Sequence, residues 1–222
     1  MDAFGLWNKE LVKISRNAIR TLDNIILPNN PVIVFDIDNT LLDWKRELIK
    51  PISVIYHYAC MLGITVMIIT SRPGTPEVIN WTQSRLMEEG ICEVKFYYFR
   101  KPDNKNCLKF KENARQNIHK RGFNVVMSLG DQDYDISGEY AGIGIKIPII
   151  YGGSVVYASS PLPSEGSRSS SKKGVVPSSA LSKISPLPPT PPLILNPIHP
   201  PYQFPQKKIR DQSDLQDQDP HH

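Results

Sequence analysis

Short runs of apolar residues recur along the first two thirds of the chain, and most of them end in polar or acidic residues. Because their length suits buried strands, they predict a parallel sheet whose two faces are both covered. The runs cover residues 32–36, 64–70, 94–99, 124–129 and 143–150. Segments with helical spacing lie between them, over about 51–62, 75–90 and 108–121. This alternation predicts an α/β domain, a Rossmann-like parallel sheet of about five strands with helices on both faces.

The N-terminal segment, residues 6–26, shows the pattern of an amphipathic helix. Its apolar positions are Trp7, Leu11, Ile14, Ala18, Leu22 and Ile25, and its basic positions are Lys9, Lys13, Arg16 and Arg20. We expect this helix to pack its apolar face on the domain. The alternative is a helix that lies on a membrane surface.

The composition changes near residue 159, from mixed sequence to a segment dominated by Pro and Ser. Such a segment cannot bury enough apolar surface to offset the entropy of ordering it. We therefore predict one domain over residues 1–158 and a disordered tail over 159–222. Within the tail, residues 183–189 fit a polyproline ligand, the kind of segment that a proline-reading partner domain binds.

Overall composition narrows the class of protein. The 222 residues carry a net charge of +4, and 40% are hydrophobic. No apolar run approaches the roughly 20 residues that span a bilayer, and the N-terminus lacks the apolar core of a signal peptide. The three cysteines are scattered, which indicates reduced thiols. We expect an intracellular, cytoplasmic protein.

Candidate chemistry begins at residues 31–42, where an apolar strand is followed by Asp36, Asp38 and Thr40. In an extended chain, side chains two residues apart point the same way, so both carboxylates can address one pocket. The carboxyl ends of parallel strands are where open α/β sheets bind ligands. The alternative is a solvated acidic turn.

Three later segments strengthen the first motif. Asp131, Asp133 and Asp135 follow another apolar strand, and Asp131 would face Asp36 if the two strands were neighbours. Paired carboxylates of this kind suit Mg²⁺, which takes carboxylate and phosphate oxygens together. Further candidates are Thr70 at a strand end with Ser71 and Arg72 beside it, and Lys111 with Lys109 as the alternative, for contacts to a phosphate.

In this order, the four elements resemble the haloacid dehalogenase-like (HAD) superfamily of hydrolases with an aspartate nucleophile, over about residues 31–150. The resemblance implies that Asp36 attacks phosphorus and that Asp38 is the general acid and base. It also assigns Thr70 and Lys111 to the phosphate. It places Mg²⁺ between Asp36, Asp131, Asp135 and the Asp38 carbonyl. Dehalogenases lack an acid at the Asp38 position and transport ATPases carry Thr there, so the resemblance favours a phosphatase.

The spacing from Lys111 to Arg115 and the string GDQDYD further resemble the acid phosphatase and vegetative storage protein branch. The intervals between motifs are too short for a cap domain, which implies an open site on a capless core. We expect a Mg²⁺-dependent phosphatase that acts on a phosphorylated small molecule or macromolecular end. Two alternatives are a nucleic-acid 3′-end or nucleotide phosphatase, and a non-catalytic scaffold with a proline-rich interaction tail.

Overall fold

The computed structural model describes residues 2–158 and the backbone of a short strand further along the chain. The helices are α1 (Ala3–Asn24), α2 (Lys50–Met61), α3 (Pro76–Glu88), α4 (Cys107–Lys120) and α5 (Asp133–Ile136). The strands are β1 (Pro31–Phe35), β2 (Thr65–Pro73), β3 (Phe96–Arg100), β4 (Asn124–Gly130), β5 (Ile143–Lys146), β6 (Ile149–Tyr151), β7 (Ser154–Val156) and β8 (Leu193–Leu195).

The main sheet has the strand order β5-β4-β1-β2-β3-β8. Strands β1 to β5 run parallel, and β8 pairs antiparallel with the edge strand β3. From β1 the chain first builds outward through β2 and β3, and then crosses to β4 on the other side of β1. The order therefore reverses between β1 and β4, and ligands of open α/β sheets bind at such a reversal.

Alternate residues of the central strands pack into two separate cores. Ile33 and Phe35 of β1 join the core beneath α1, α2 and α3, whereas Val32 and Val34 join the core beneath α4. Because β1 is covered on both faces, every residue from 32 to 35 is apolar and buried. The predicted α/β class and the parallel sheet of five strands, with helices on both faces, are confirmed.

Local capping signals explain where the helices begin. The Thr75 side chain accepts a hydrogen bond from the Val78 amide, and Asn106 accepts one from the Lys109 amide. Each bond satisfies an amide that has no partner within the first helical turn. The basic face of α1 points outward, and its apolar face packs against α2 and the β6–β7 hairpin.

The strand predicted over residues 143–150 is divided in the structure. It forms β5 and then β6, with Ile147 and Pro148 between them. Pro148 has no amide hydrogen to continue the ladder, and the Ile147 amide bonds instead to the Gly130 carbonyl at 2.9 Å. Strand β6 then pairs with β7 in a separate antiparallel hairpin.

The prediction for residues 159–222, including the polyproline pattern at 183–189, falls outside the described residues except for β8. Within residues 2–158, no helix is long and apolar enough to cross a bilayer. Cys60, Cys92 and Cys107 are all free thiols.

Candidate active site

Asp36 lies directly after β1, at the reversal point of the sheet. Its amide donates to the Leu129 carbonyl of β4 at 2.9 Å, and this bond fixes the carboxyl end of β1 against β4. Strands β1 and β4 are parallel neighbours, with Phe35 opposite Leu129. The next residue after β4 is Asp131. The fold thus brings Asp36 and Asp131 to one edge of the sheet, and both side chains are buried.

Lys111 reaches this edge from α4 and is almost fully buried. Its Nζ lies 2.5 Å from Oδ1 of Asp36, 2.6 Å from Oδ1 of Asp135 and 2.7 Å from the Ile69 carbonyl oxygen. Lys109, the alternative, is exposed and pairs with Glu112 at 3.4 Å. The structure therefore places Lys111 in the pocket and Lys109 at the surface.

Three carboxylates converge beside Lys111. Oxygens of Asp36, Asp131 and Asp135 all lie within 4.8 Å of one another, and all three side chains are buried. Asp135 belongs to the short helix α5, and the Gln132 amide donates to its Oδ2 at 3.0 Å. A Cβ on Gly130 would lie 2.1 Å from the Asp135 Cβ, so only glycine lets α5 approach β4 this closely.

The electrostatics of this cluster favour a bound cation. Burial raises the pKa of Asp36 well above its usual value, against the opposing effect of Lys111, and Asp135 and Asp131 raise it further. Burial also raises the pKa of Asp131. For Lys111, burial alone would lower the pKa, but Asp36 and Asp135 outweigh it and the pKa is raised. One ammonium thus faces three carboxylates, an excess of buried negative charge that a divalent cation would balance.

Thr70 lies on β2 beside the same edge and is fully buried. Its hydroxyl accepts a hydrogen bond from the Arg72 amide at 3.2 Å. The Ile69 carbonyl that contacts Lys111 immediately precedes it, so β2 contributes both a backbone acceptor and a hydroxyl at the edge of the pocket.

Asp38 stands apart from the buried cluster, because its side chain is exposed. Arg72 donates to both carboxylate oxygens, from Nε at 2.9 Å and from Nη2 at 2.6 Å. A third bond, from Arg72 Nη1 to the Thr82 hydroxyl at 3.0 Å, anchors the guanidinium to α3. Asp38 and Arg72 thus form the outer rim of the pocket.

Arg115 supports the cluster from behind, and sequence reasoning gave it no role. It is fully buried and donates to the carbonyl oxygens of Tyr134, Asp135 and Ser137 at 2.6–3.2 Å. These bonds hold the chain that carries Asp135. The signal in the sequence was the four-residue spacing from Lys111, which puts both cations on one face of α4.

The sequence matches the family described as HAD superfamily, subfamily IIIB (acid phosphatase), over residues 45–154. That range contains Thr70, Lys111, Asp131 and Asp135, and it begins after Asp36 and Asp38. Phosphatases of this superfamily generally use a divalent metal ion, and the three buried carboxylates could bind one.

Among solved structures, the chain is similar to the class C acid phosphatase from Bacillus anthracis. The two share 16% identity over 60% of this chain and 69% of that chain, with a TM-score of 0.43. No curated protein matches the sequence. Over residues 45–154, the chain is therefore similar to HAD superfamily phosphatases of the subfamily IIIB acid phosphatase type.

Proposed function

We propose that this protein is a Mg²⁺-dependent phosphatase that hydrolyses phosphomonoesters through an aspartyl-phosphate formed on Asp36. The observation that carries the proposal is the convergence of Asp36, Lys111 and two further carboxylates at the reversal point of the sheet. A phosphoryl group brought there meets a carboxylate nucleophile and a fixed cation at the same place.

Asp36, Asp131 and Asp135 would hold the metal ion, together with the main-chain carbonyl of Asp38. All four donors are oxygens, which suits a hard cation such as Mg²⁺. When bound, Mg²⁺ would neutralise charge on the phosphate and lower the pKa of the surrounding carboxylates.

Asp36 supplies the nucleophile. One carboxylate oxygen attacks phosphorus while the bond from phosphorus to the leaving oxygen breaks. Lys111 draws negative charge from the phosphoryl oxygens, and its raised pKa keeps it protonated while it does so. The Thr70 hydroxyl can donate to another phosphoryl oxygen, since within residues 2–158 it only accepts, from the Arg72 amide.

Asp38 acts as the general acid and then as the general base. In its acid form it donates a proton to the leaving oxygen, and as a carboxylate it then takes one from the attacking water. The water oxygen bonds to phosphorus, the bond to Asp36 breaks, and phosphate leaves. Arg72 holds Asp38 at the rim, where a leaving group and water can reach it. General acid and base catalysis of this kind contributes roughly 10²–10⁴-fold.

Phosphate release from an aryl phosphate tests the proposal, measured with excess chelator and again after Mg²⁺ is restored. Asp36→Asn should abolish turnover while circular dichroism and melting stay close to those of the parent. The matched control is Asp133→Asn, an aspartate at the start of α5 that pairs with Lys146. Near-normal turnover by folded Asp36→Asn, or full activity in chelator, would contradict the proposal.

The three free thiols support an intracellular location, where cysteines stay reduced.

A further inference from the structure

We propose that the surface beside Asp38 is a binding site for the phosphorylated end of a single-stranded nucleic acid. We call it the outer groove; it is lined by Asp38, Arg46, Arg72, Glu77, Val78 and Trp81 and has a volume of about 450 Å³. The inference rests on the proposed function, because it takes Asp38 as the group that protonates the leaving oxygen. The leaving nucleoside must then lie on the Asp38 side of the phosphate, which is where the groove is.

Trp81 provides the stacking platform. Its side chain is 40% exposed on α3, and two guanidinium groups lie over the ring, Arg46 at 4.8 Å and Arg72 at 5.0 Å from its centroid. Unstacked bases pack on aromatic rings and on guanidinium groups alike, so the exposed part of Trp81 and the two guanidinium groups over its ring can together hold a base. A volume of this size can take a base with its sugar.

The groove is built before any ligand arrives. Asp43 accepts bonds from the Lys45 and Glu47 amides at 2.8 and 2.9 Å, and the turn they form places Arg46 in the left-handed region at φ 66°. Arg85 donates from Nε to the Arg46 carbonyl at 3.1 Å and so joins this turn to α3. These bonds fix the turn that carries Arg46 relative to Trp81 on α3. Less conformational freedom is therefore lost when a ligand binds in the groove.

The charges of the outer groove favour a nucleic-acid strand over a single aromatic phosphate ester. Arg72 is balanced by Asp38, but no carboxylate pairs with Arg46 among residues 2–158. Arg46 therefore offers a second positive charge outside the catalytic pocket, suited to the next phosphate of a strand. Glu77 at the groove can accept a hydrogen bond from the amino group of a base.

The test compares three substrates: an oligonucleotide strand with a terminal phosphate, the corresponding mononucleotide, and glycerol phosphate, which has no ring. Trp81→Ala should lower kcat/KM for the strand relative to glycerol phosphate by about tenfold or more, chiefly through KM, because base stacking is lost. Trp81→Phe should recover most of this preference. The control is Trp44→Ala, a 73% exposed tryptophan with Lys45 over its ring, which should change no substrate ratio.

An Arg46 variant distinguishes a nucleic-acid strand from a free mononucleotide as the preferred substrate. Arg46→Ala should lower kcat/KM for the strand relative to the mononucleotide by several-fold, and it should weaken the salt dependence of strand binding. An unchanged ratio would overturn the assignment to a strand. A phosphotyrosyl peptide that is preferred over both nucleotide substrates would overturn the assignment to a nucleoside.

A binding measurement keeps this inference distinct from the proposed function. Fluorescence anisotropy of a labelled strand should report binding to Asp36→Asn, and adding Trp81→Ala should weaken it. If no phosphate is released from any substrate but binding depends on Trp81, the proposed function fails and the groove assignment stands. If glycerol phosphate is hydrolysed but neither strand binding nor strand turnover depends on Trp81, the groove assignment alone fails.

Discussion

The buried pocket and the outer groove both use charged residues, but they hold them in opposite ways. In the pocket, Asp36 and Asp135 are nearly inaccessible, and each has a carboxylate oxygen 2.5–2.6 Å from Nζ of the equally buried Lys111. In the groove, Arg46 and Trp81 are exposed, and Asp38 shares its carboxylate with Arg72 at the rim. The difference separates two tasks. Buried charges fix the reacting atoms, whereas exposed ones can distinguish substrates without disturbing the fold.

The largest expected effect comes from removing one cation from the buried pocket and, for comparison, one from the outer groove. Lys111→Met leaves its buried carboxylates without their ammonium, so the free energy of unfolding should fall by about 3–5 kcal/mol and turnover should be lost. Arg72→Met removes a partly exposed pair and should cost about 1 kcal/mol or less. Urea unfolding measures both, with Lys109→Met as the matched surface lysine. Equal losses for Lys111→Met and Arg72→Met would remove the distinction.

Arg115 tests whether the pocket depends on the residues that support it. We expect Arg115→Leu to raise the Mg²⁺ concentration needed for half-maximal activity by about 10–100-fold, because Asp135 loses the carbonyl contacts that position it. Arg115→Lys should recover part of the effect. Metal titration of folded protein is the measurement, with Arg121→Leu as a control at the end of the same helix. A loss of stability with unchanged metal affinity would give Arg115 a structural role only.

The raised carboxylate pKa values predict an unusual pH dependence without metal. Asp36 and Asp131 have folded pKa values above their unfolded ones, so the folded state binds more protons in the interval between. Their contribution to stability is fully present below about pH 4 and is lost as pH rises through the folded values. In excess chelator, the contribution of Asp36 and Asp131 to the free energy of unfolding should therefore increase as pH falls from neutral. Saturating Mg²⁺ should reduce this increase.

The comparison with Asp36→Asn isolates that pH effect. Thermal melts across mildly acidic and neutral pH, with and without Mg²⁺, should show a smaller pH dependence for this variant in chelator. An identical pH dependence for the parent and Asp36→Asn would mean that Asp36 is not the titrating group.

The sheet could be predicted because a strand that is covered on both faces consists of consecutive apolar residues. The clearest example is the run from Val32 to Phe35, all of which is buried. The pocket residues could be proposed because they follow such strands or belong to the motifs of one superfamily. The choice between Lys109 and Lys111 needed the face of α4. Phe110, Ala114 and Ile118 form its buried stripe, and Lys111 and Arg115 follow Phe110 and Ala114 by one residue. The spacing of that stripe is visible in the sequence and puts Lys111 on the side of α4 that faces the sheet.

The outer groove could not be predicted in the same way. It joins a turn after β1, the end of β2 and the middle of α3, and nothing in the local sequence of Trp81 says that Arg46 will lie over its ring. Helix α5 was missed for a related reason. It is only four residues long, and its position depends on the absence of a side chain at Gly130.

The smallest expected effect concerns the edge of the sheet farthest from the reversal point. We propose that residues 1–158 form the catalytic domain, and β8 adds three residues to β3 at Tyr97, Tyr98 and Phe99. A chain ended after residue 158 loses this pairing and should melt a few degrees lower than a chain ended after residue 196, since few hydrogen bonds at about 1 kcal/mol each are involved. Both should hydrolyse small phosphoesters alike, because the pocket is held by β1, β2, β4 and α4. A large loss of turnover in the shorter chain would mean that β3 transmits strain to Thr70, which pairs with Phe99 in the neighbouring strand. The β3 edge would then belong with the buried pocket, as a region whose contacts turnover requires.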